Sequence, residues 1–316
     1  MKKLLLAGLA AGVALSAGAA MRRGSVDRSE NKSLASRRFA DVNGIRMSWL
    51  EEGEGTPVIL LHGIPTSPEL WRHVIPRLSG VRVLAWEMVG YGESMSEGIN
   101  RDISVAAQAE YLASWMRELG LEKAIIAGHD LGGGVAQILA VRHPRLCSGL
   151  FLTNAIGYDS WPIPSVIAMR EAGAVIEKLP DPLFAALLFT LFVRGHDDFR
   201  RARDAARIHV RKYLDRDGAA AMVRQVRDLD VQDTLAICDK LASLNVPARL
   251  VWGGADRFLK LKYGRRFARD LSAPLRVIPG GKHFTPEDHP EAVAEEIMLL
   301  VAEAASAPGS SPAAQP

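Results

Sequence analysis

The feature that most constrains this 316-residue chain is the decapeptide IIAGHDLGGG at residues 125–134. A short apolar run ends at Gly128, and apolar residues recur at helical spacing after Gly134, which predicts a strand, a sharp turn and a helix. The Gly-x-Asp-x-Gly spacing places Asp130 at the apex of the turn, where larger residues two positions away would collide with it. A carboxylate there, at the positive end of a helix, is suited to nucleophilic attack, although a helix-capping Asp gives the same local pattern.

Composition restricts the class of protein without identifying a partner. The chain is 48% hydrophobic and 24% charged, with a net charge of +3, which is ordinary for a globular protein and does not indicate a nucleic-acid partner. Its two cysteines lie in apolar contexts and are predicted to be buried small hydrophobes. No His/Cys group has metal-ligand spacing, so no metal is implied.

The N-terminal segment, residues 1–36, is predicted to be a signal-like leader followed by a polar linker. Two lysines precede an apolar stretch at residues 4–15, and Ala17 and Ala19 form an A-x-A cleavage pattern, so we expect export to the periplasm or beyond. Membrane contact is then transient and confined to the leader. Translation from Met21 is the alternative, and it would leave the protein in the cytoplasm.

Apolar runs and amphipathic stretches alternate along the rest of the chain, which predicts a mostly parallel sheet flanked by helices. Asn43-Gly44 between the first two runs predicts a hairpin. Besides the strand before Asp130, predicted strands are residues 39–42, 45–51, 57–61, 81–86, 150–153, 248–252 and 275–278; predicted helices include 67–78, 104–119 and 287–302.

The predicted domain organisation has one interruption of the sheet. Residues 156–242 are rich in helix formers and contain no convincing strand, so they are predicted to form a helical cap, here termed the helical insertion. Residues 37–155 and 243–304 form the predicted core, and the Ala/Ser/Pro-rich residues 305–316 a disordered tail.

Five polar positions follow predicted strands: His62, Asp130, Asn154, Asp256 and His283. Ligands of parallel sheets bind at the carboxyl ends of the strands, where such residues converge. Their placement therefore favours one functional site at this edge.

Three motifs together resemble the α/β-hydrolase fold over residues 39–302. They are LHGIPTS at residues 61–67, GYGES at residues 90–94 and the Asp-containing turn. With Asp at the apex, the chain is similar to the subgroup that contains haloalkane dehalogenases and epoxide hydrolases, and the first motif looks most like a dehalogenase. The resemblance implies an α/β-hydrolase fold with a helical cap and a cofactor-free hydrolase for a small apolar organic substrate.

The resemblance also implies a catalytic triad. Asp130 would attack an sp³ carbon to form an alkyl-enzyme ester, and His283 would activate the water that hydrolyses it. The acid that orients the histidine follows either the sixth or the seventh strand. Asn154 occupies the first position and cannot stabilise imidazolium by charge, so Asp256 is predicted.

Oxyanion stabilisation is implied for the backbone N–H groups of Ile64 and Leu131. In dehalogenases the corresponding side chains are Asn and Trp, which hold the departing halide, whereas these two carry no donor. An unsolvated halide costs on the order of 3–5 kcal/mol, and ~4 kcal/mol is close to a thousandfold in rate. Trp161 is a candidate substitute donor, although packing beneath the insertion would also account for it.

Epoxide opening requires an acid, which related enzymes take from tyrosines of the cap or from a histidine. Tyr158 and Tyr213 are the candidates here, with His209 as the histidine variant. Tyr213 lies in a charged stretch and also fits an exposed face. Related enzymes carry their second cap tyrosine in a Trp-Tyr-Arg-like string, and the corresponding sequence here is MVR at residues 222–224, without a tyrosine.

The sequence therefore predicts a haloalkane dehalogenase-like hydrolase, with an epoxide hydrolase as the alternative. A non-catalytic small-molecule binder on a hydrolase fold is the alternative from another class, although a binder has no use for a complete triad. Attack of Asp130 on a carboxylic ester would give an anhydride, which disfavours an esterase.

Overall fold

The computed structural model describes residues 35–214 and 218–306. In this part of the chain, eight strands form one sheet of order β1-β2-β4-β3-β5-β6-β7-β8. The strands are β1 Ser36–Val42, β2 Ile45–Glu52, β3 Thr56–Leu61, β4 Val81–Trp86, β5 Ala124–Asp130, β6 Cys147–Ala155, β7 Ala248–Gly253 and β8 Leu275–Ile278. β2 pairs antiparallel with both β1 and β4. All the other neighbouring strands, from β4 and β3 across to β8, pair parallel. The predicted mostly parallel sheet is confirmed.

Helices cover both faces of the sheet because its central strands are apolar on both sides. Ile59 and Leu61 of β3 pack in a cluster with apolar residues of α1 and α2. Val58 and Leu60 point the other way and pack with residues of α11. The helices are α1 Val105–Glu118, α2 Leu131–Arg142, α3 Pro164–Glu171, α4 Gly173–Ile176, α5 Asp181–Gly195, α6 Phe199–Leu214, α7 Gly218–Arg227, α8 Gln232–Leu235, α9 Leu261–Asp270, α10 Thr285–Asp288 and α11 Pro290–Ser306.

Prolines change two predicted helices. The single helix predicted over residues 67–78 is wrong: the structure has two short 3₁₀ helices, Pro68–Trp71 and Ile75–Arg77, since Pro76 cannot donate a helical hydrogen bond. The closing helix predicted at 287–302 is divided, with α11 beginning at Pro290, a favoured first position. α11 also continues to Ser306, two residues into the predicted tail.

The helical insertion contains α3 to α8 and, among its described residues, no strand. α5 and α6 pack against each other, with Phe184, Leu188 and Phe192 in the apolar cluster that also contains Ala202 and Ala206. Small residues on α6 thus let the bulky side chains of α5 approach closely.

The predictions for residues 1–34 and 307–316 lie outside the described residues. Residues 35 and 36 are described, and Ser36 begins β1. Cys147 is buried as predicted, whereas Cys238 is only partly buried. In residues 35–214 and 218–306, none of the helices is long and apolar enough to cross a membrane.

Candidate active site

The turn between β5 and α2 holds Asp130 in a strained backbone conformation. Its φ is +52° and its ψ is −120°, a combination that costs a non-glycine residue on the order of 1–3 kcal/mol. A Cβ at Gly128 would overlap the carbonyl of Gly132, and a Cβ at Gly132 would overlap the carbonyl of Leu61. These glycines therefore allow close backbone packing; the predicted collision with Asp130 itself arises instead at Gly63.

The Asp130 carboxylate is nearly buried, with 8% of the residue exposed. The Ile64 N–H donates to its Oδ2 at 3.0 Å, and the Leu131 N–H is a second backbone donor. Burial raises the pKa of Asp130, while His283 and the two N–H groups oppose that rise. Both predicted oxyanion donors thus lie against this carboxylate.

His283 connects Asp130 with Asp256. Its Nδ1 lies 2.9 Å from Asp256 Oδ2, and its Nε2 lies 4.0 Å from Asp130 Oδ1. The hydrogen bond to Asp256 favours the tautomer with a proton on Nδ1, which leaves the lone pair of Nε2 on the Asp130 side. Burial lowers the pKa of His283, but the nearby Asp256 charge outweighs it, so the pKa lies above its usual value.

Asp256 is held by four hydrogen-bond donors. Oδ1 accepts from the Phe258 N–H at 2.7 Å and the Leu259 N–H at 3.1 Å. Oδ2 accepts from Asn154 Nδ2 at 2.6 Å in addition to His283. The two alternative acid positions therefore converge: Asp256 contacts the histidine, and Asn154 contacts Asp256.

Two further histidines of the motifs support loops. His62 Nδ1 lies 3.0 Å from the Gly63 carbonyl, and its Nε2 accepts from the Met88 N–H at 3.1 Å. Burial lowers the pKa of His62 to about 3, so the ring is neutral. His129 Nε2 lies 3.0 Å from the His283 carbonyl. Both rings therefore contact backbone groups of neighbouring loops.

A small apolar cavity lies between Asp130 and the helical insertion. Its volume is about 620 Å³ when the open mouth is included. The core contributes Ile64, Leu131, Phe258, His283 and Phe284 among others; the insertion contributes Trp161, Ser165, Val166, Met169, Leu191, Met222 and Leu229 among others. Such a cavity suits a small, largely apolar molecule.

Trp161 lies in the cavity wall, but its indole N–H is already used. It donates to Thr234 Oγ1 at 2.7 Å, and the Thr234 hydroxyl donates onward to the Tyr158 carbonyl at 2.8 Å. The predicted substitute halide donor therefore serves a hydrogen bond within the insertion.

Tyr158 and Tyr213 do not line the cavity, contrary to the prediction that they contact substrate. The Tyr158 hydroxyl donates to Asp270 at 2.9 Å, and that of Tyr213 donates to Gln225 at 2.8 Å. Each ring packs beside another aromatic ring, Phe267 and Phe184 respectively. The sequence predicts that both tyrosines lie in the helical insertion, but it does not determine whether their side chains face the cavity. Tyr213 is also buried, which excludes the exposed alternative.

His209, the histidine variant, is also directed away from the cavity. Its Nδ1 lies 3.0 Å from Ser67 Oγ and its Nε2 lies 3.0 Å from Glu287 Oε1. His196 occupies the same buried cluster, and Arg72 pairs with Glu287 there. The members of this cluster are far apart in the chain, so no local sequence pattern indicates it.

Ser165 is a cavity residue that sequence reasoning did not identify. It lies one residue after Pro164, the first residue of α3. Within residues 35–214 and 218–306, its hydroxyl makes no hydrogen bond, although it lines the cavity. The helix-starting proline was the available signal, since it places the next side chain on the first turn.

Comparison with known proteins agrees with this architecture. A family described as alpha/beta hydrolase fold matches residues 56–290. The bifunctional epoxide hydrolase 2 of Sus scrofa is 33% identical over 49% of this chain, which spans 30% of that protein's length. The soluble epoxide hydrolase of Corynebacterium sp. strain C12 is 28% identical, and the alignment covers 83% of this chain and 96% of that enzyme's length. The haloalkane dehalogenase of Sphingobium indicum is 30% identical over 40% of this chain and 44% of its own.

Proposed function

Because the chain belongs to the α/β-hydrolase fold family, we propose that it is a hydrolase whose carbon-attacking nucleophile is Asp130. The observation that carries this proposal is the environment of the two carboxylate oxygens. Oδ2 accepts the Ile64 N–H, while Oδ1 lies on the side of His283, which is held by Asp256. One oxygen is thus placed for stabilisation and the other is available for attack.

The first step forms an ester and releases the leaving group. Asp130 Oδ1 forms a bond to an sp³ carbon of the substrate, and the bond from that carbon to its leaving atom breaks with the electron pair on the leaving atom. The cavity wall around Asp130 is mostly apolar, so it offers water few hydrogen-bond partners beside the reacting atoms.

The second step hydrolyses the ester. His283 Nε2 takes a proton from water, and the water oxygen adds to Cγ of Asp130. The resulting oxyanion at Oδ2 is stabilised by the N–H groups of Ile64 and Leu131. Collapse expels the alcohol oxygen, which takes the proton from His283, and the new carboxylic acid loses its proton to solvent.

An epoxide is the substrate class that the cavity favours. Among the described cavity residues, Trp161 carries the single side-chain N–H outside the triad, and it donates to Thr234. A departing halide would therefore find no free side-chain N–H to bind it. An epoxide oxygen does not depart, because it stays attached to the product, and a nearby hydroxyl or water can supply the proton that it needs. A soluble epoxide hydrolase from Corynebacterium sp. strain C12 aligns with 83% of this chain and 96% of its own length. This reverses the order predicted from the sequence.

Haloalkane hydrolysis is the second candidate, supported by the dehalogenase relative. It would be restricted to bromides and iodides, whose leaving atoms need less stabilisation than chloride. Both candidates use the same ester on Asp130, so a single set of assays distinguishes them: diol formation from styrene-type epoxides and halide release from bromoalkanes.

The proposed mechanism is tested by trapping and by isotope labelling. In His283→Gln, ester formation remains while hydrolysis slows by about 10²–10⁴-fold, so intact-mass spectra should show an adduct that peptide mapping places on Asp130. In wild-type protein, a single turnover in H₂¹⁸O should transfer ¹⁸O to Asp130 and leave the product unlabelled. His289→Gln is the matched control, because His289 pairs with Asp197 outside the cavity. Label in the first-turnover product with no adduct would overturn the mechanism.

A further inference from the structure

We propose that the Ser165 hydroxyl binds the atom that leaves carbon when Asp130 attacks, and so determines which leaving groups the site accepts. This inference rests on the proposed function and specifies its substrate class. Tyr158 and Tyr213, which were expected to fill this role, lie outside the cavity. Their hydroxyls donate hydrogen bonds to Asp270 and Gln225 respectively.

Among the polar side chains of the cavity wall, Ser165 is the candidate donor to the leaving atom. Four of the described residues that line the cavity have polar side chains: Asp130, Trp161, Ser165 and His283. Trp161 donates to Thr234, and His283 Nδ1 is occupied by Asp256. Within the described residues, the Ser165 hydroxyl is therefore the side-chain hydrogen-bond donor of the cavity that is not already bonded to another residue.

The direction of displacement places the leaving atom on the Ser165 side. Asp130 belongs to the core end of the cavity, whereas Ser165 is on α3 of the helical insertion. In a direct displacement, the leaving atom departs opposite the attacking oxygen, and thus toward the insertion. The remaining insertion residues of the wall are apolar apart from the engaged Trp161.

Ser165 can act on both substrate classes with balanced chemistry. With an epoxide, the electron pair of the broken C–O bond stays on oxygen, which takes the Ser165 proton; Ser165 regains a proton from water, and the resulting hydroxide is neutralised by the proton released when the ester is hydrolysed. With a haloalkane, the halide accepts a hydrogen bond and no proton moves.

A serine hydroxyl is a much weaker acid than a tyrosine phenol, whose pKa is about 10. We therefore expect the site to favour substrates with easily broken bonds, such as styrene-type epoxides and bromides, over aliphatic epoxides and chlorides. Loss of the hydroxyl should widen this difference.

The decisive measurement is the rate of ester formation, followed by intact mass in the His283→Gln background. Adding Ser165→Ala should slow adduct formation by about 10- to 100-fold for an aliphatic epoxide, and by less than about threefold for a styrene-type epoxide or an alkyl iodide. Ser165→Thr, which keeps a hydroxyl, should recover part of the rate. Hydrolysis of a preformed ester, measured in Ser165→Ala alone, should be unchanged, since that step does not involve the leaving atom.

Thr190→Ala is the matched control, because Thr190 is an exposed hydroxyl residue of α5 in the same insertion and does not line the cavity. Equal slowing for good and poor leaving groups, or a parallel loss in the hydrolysis step, would assign Ser165 a packing role and overturn the inference. If His283→Gln forms no adduct with any substrate that wild-type protein turns over, the proposed function itself fails. The two failures are therefore distinguishable.

Discussion

Asp130 combines two unfavourable features in a single residue. Its backbone has a positive φ of +52°, and burial of its carboxylate raises its pKa. Residues held in such conformations persist where the surrounding structure fixes them, and they cluster at functional sites. The backbone N–H groups of Ile64 and Leu131 help to hold the carboxylate in the cavity wall despite both costs.

Replacing Asp130 by Asn should therefore abolish turnover and stabilise the fold at neutral pH. Because the folded pKa is raised, ionisation of Asp130 opposes folding above that pKa, and the effect disappears as the pH falls below the ordinary Asp value of about 3.9. Asn can still accept the Ile64 N–H. Thermal unfolding should show a higher Tm for Asp130→Asn at pH 7 and a smaller difference at pH 4; a lower Tm at pH 7 would contradict the argument.

The raised pKa of His283 predicts the pH dependence of ester hydrolysis. The imidazole must be neutral to take a proton from water, and Asp256 keeps it protonated to higher pH than a free histidine. Hydrolysis should therefore accelerate as the pH rises past about 6.5, while ester formation changes little. Quenched-flow mass spectrometry should find more Asp130 ester at pH 5.5 than at pH 8.5 in wild-type protein. An ester fraction independent of pH would exclude His283 as the base.

At the scale of elements, strand ends explain why part of the site was predictable. Parallel strands terminate at one edge, so the sequence alone groups Asp130 at the end of β5, Asn154 in β6 and Asp256 after β7. Helices of the insertion have no comparable constraint. Their side chains can face the cavity, the insertion's interior or solvent, which is why Tyr158 and Tyr213 were misplaced.

The hydrogen bonds of Thr234 predict how α8 is attached to the loop after β6. Thr234→Val leaves the Trp161 indole N–H and the Tyr158 carbonyl without their partner, and each buried unsatisfied group costs about 1–3 kcal/mol. Because two groups lose their partner, chemical denaturation should show a loss of unfolding free energy of about 2–6 kcal/mol. Thr234→Ser, which keeps the hydroxyl, should lose less than half as much. Equal losses in the two variants would assign the effect to the methyl group instead.

At the scale of the whole molecule, a buried charge cluster joins the helical insertion to the core. His196, directly after α5, lies 3.0 Å from Asp288 Oδ1 and 3.2 Å from Glu287 Oε2, both on α10. Burial disfavours its charged form, but these carboxylates outweigh burial and raise the pKa of His196 to about 9. α10 begins two residues after His283, so this cluster also fixes the segment that carries the proposed base.

The His196 cluster should make stability depend on alkaline pH. Its folded pKa exceeds the unfolded value of about 6.5, so its contribution is complete below that pH and is lost as the pH rises through about 9. The contribution is on the order of 3 kcal/mol at most. Differential scanning calorimetry should show a fall in Tm between pH 6.5 and 9.5 that is smaller in His196→Gln. His143→Gln, at an exposed ion pair, is the matched control and should retain the full fall.

The sequence by itself determined the alternation of strands and helices, the turn that carries Asp130, and the edge of the sheet where the polar residues converge. These follow from local periodicity, from glycine and proline placement, and from the rule that parallel strands end together. Only the tertiary structure decided that Asp256 contacts His283 while Asn154 contacts Asp256, that the Trp161 N–H donates to Thr234, and that Ser165 lines the cavity. Those facts depend on which side chains meet across long sequence separations, and packing within the insertion sets them, whereas local pattern does not.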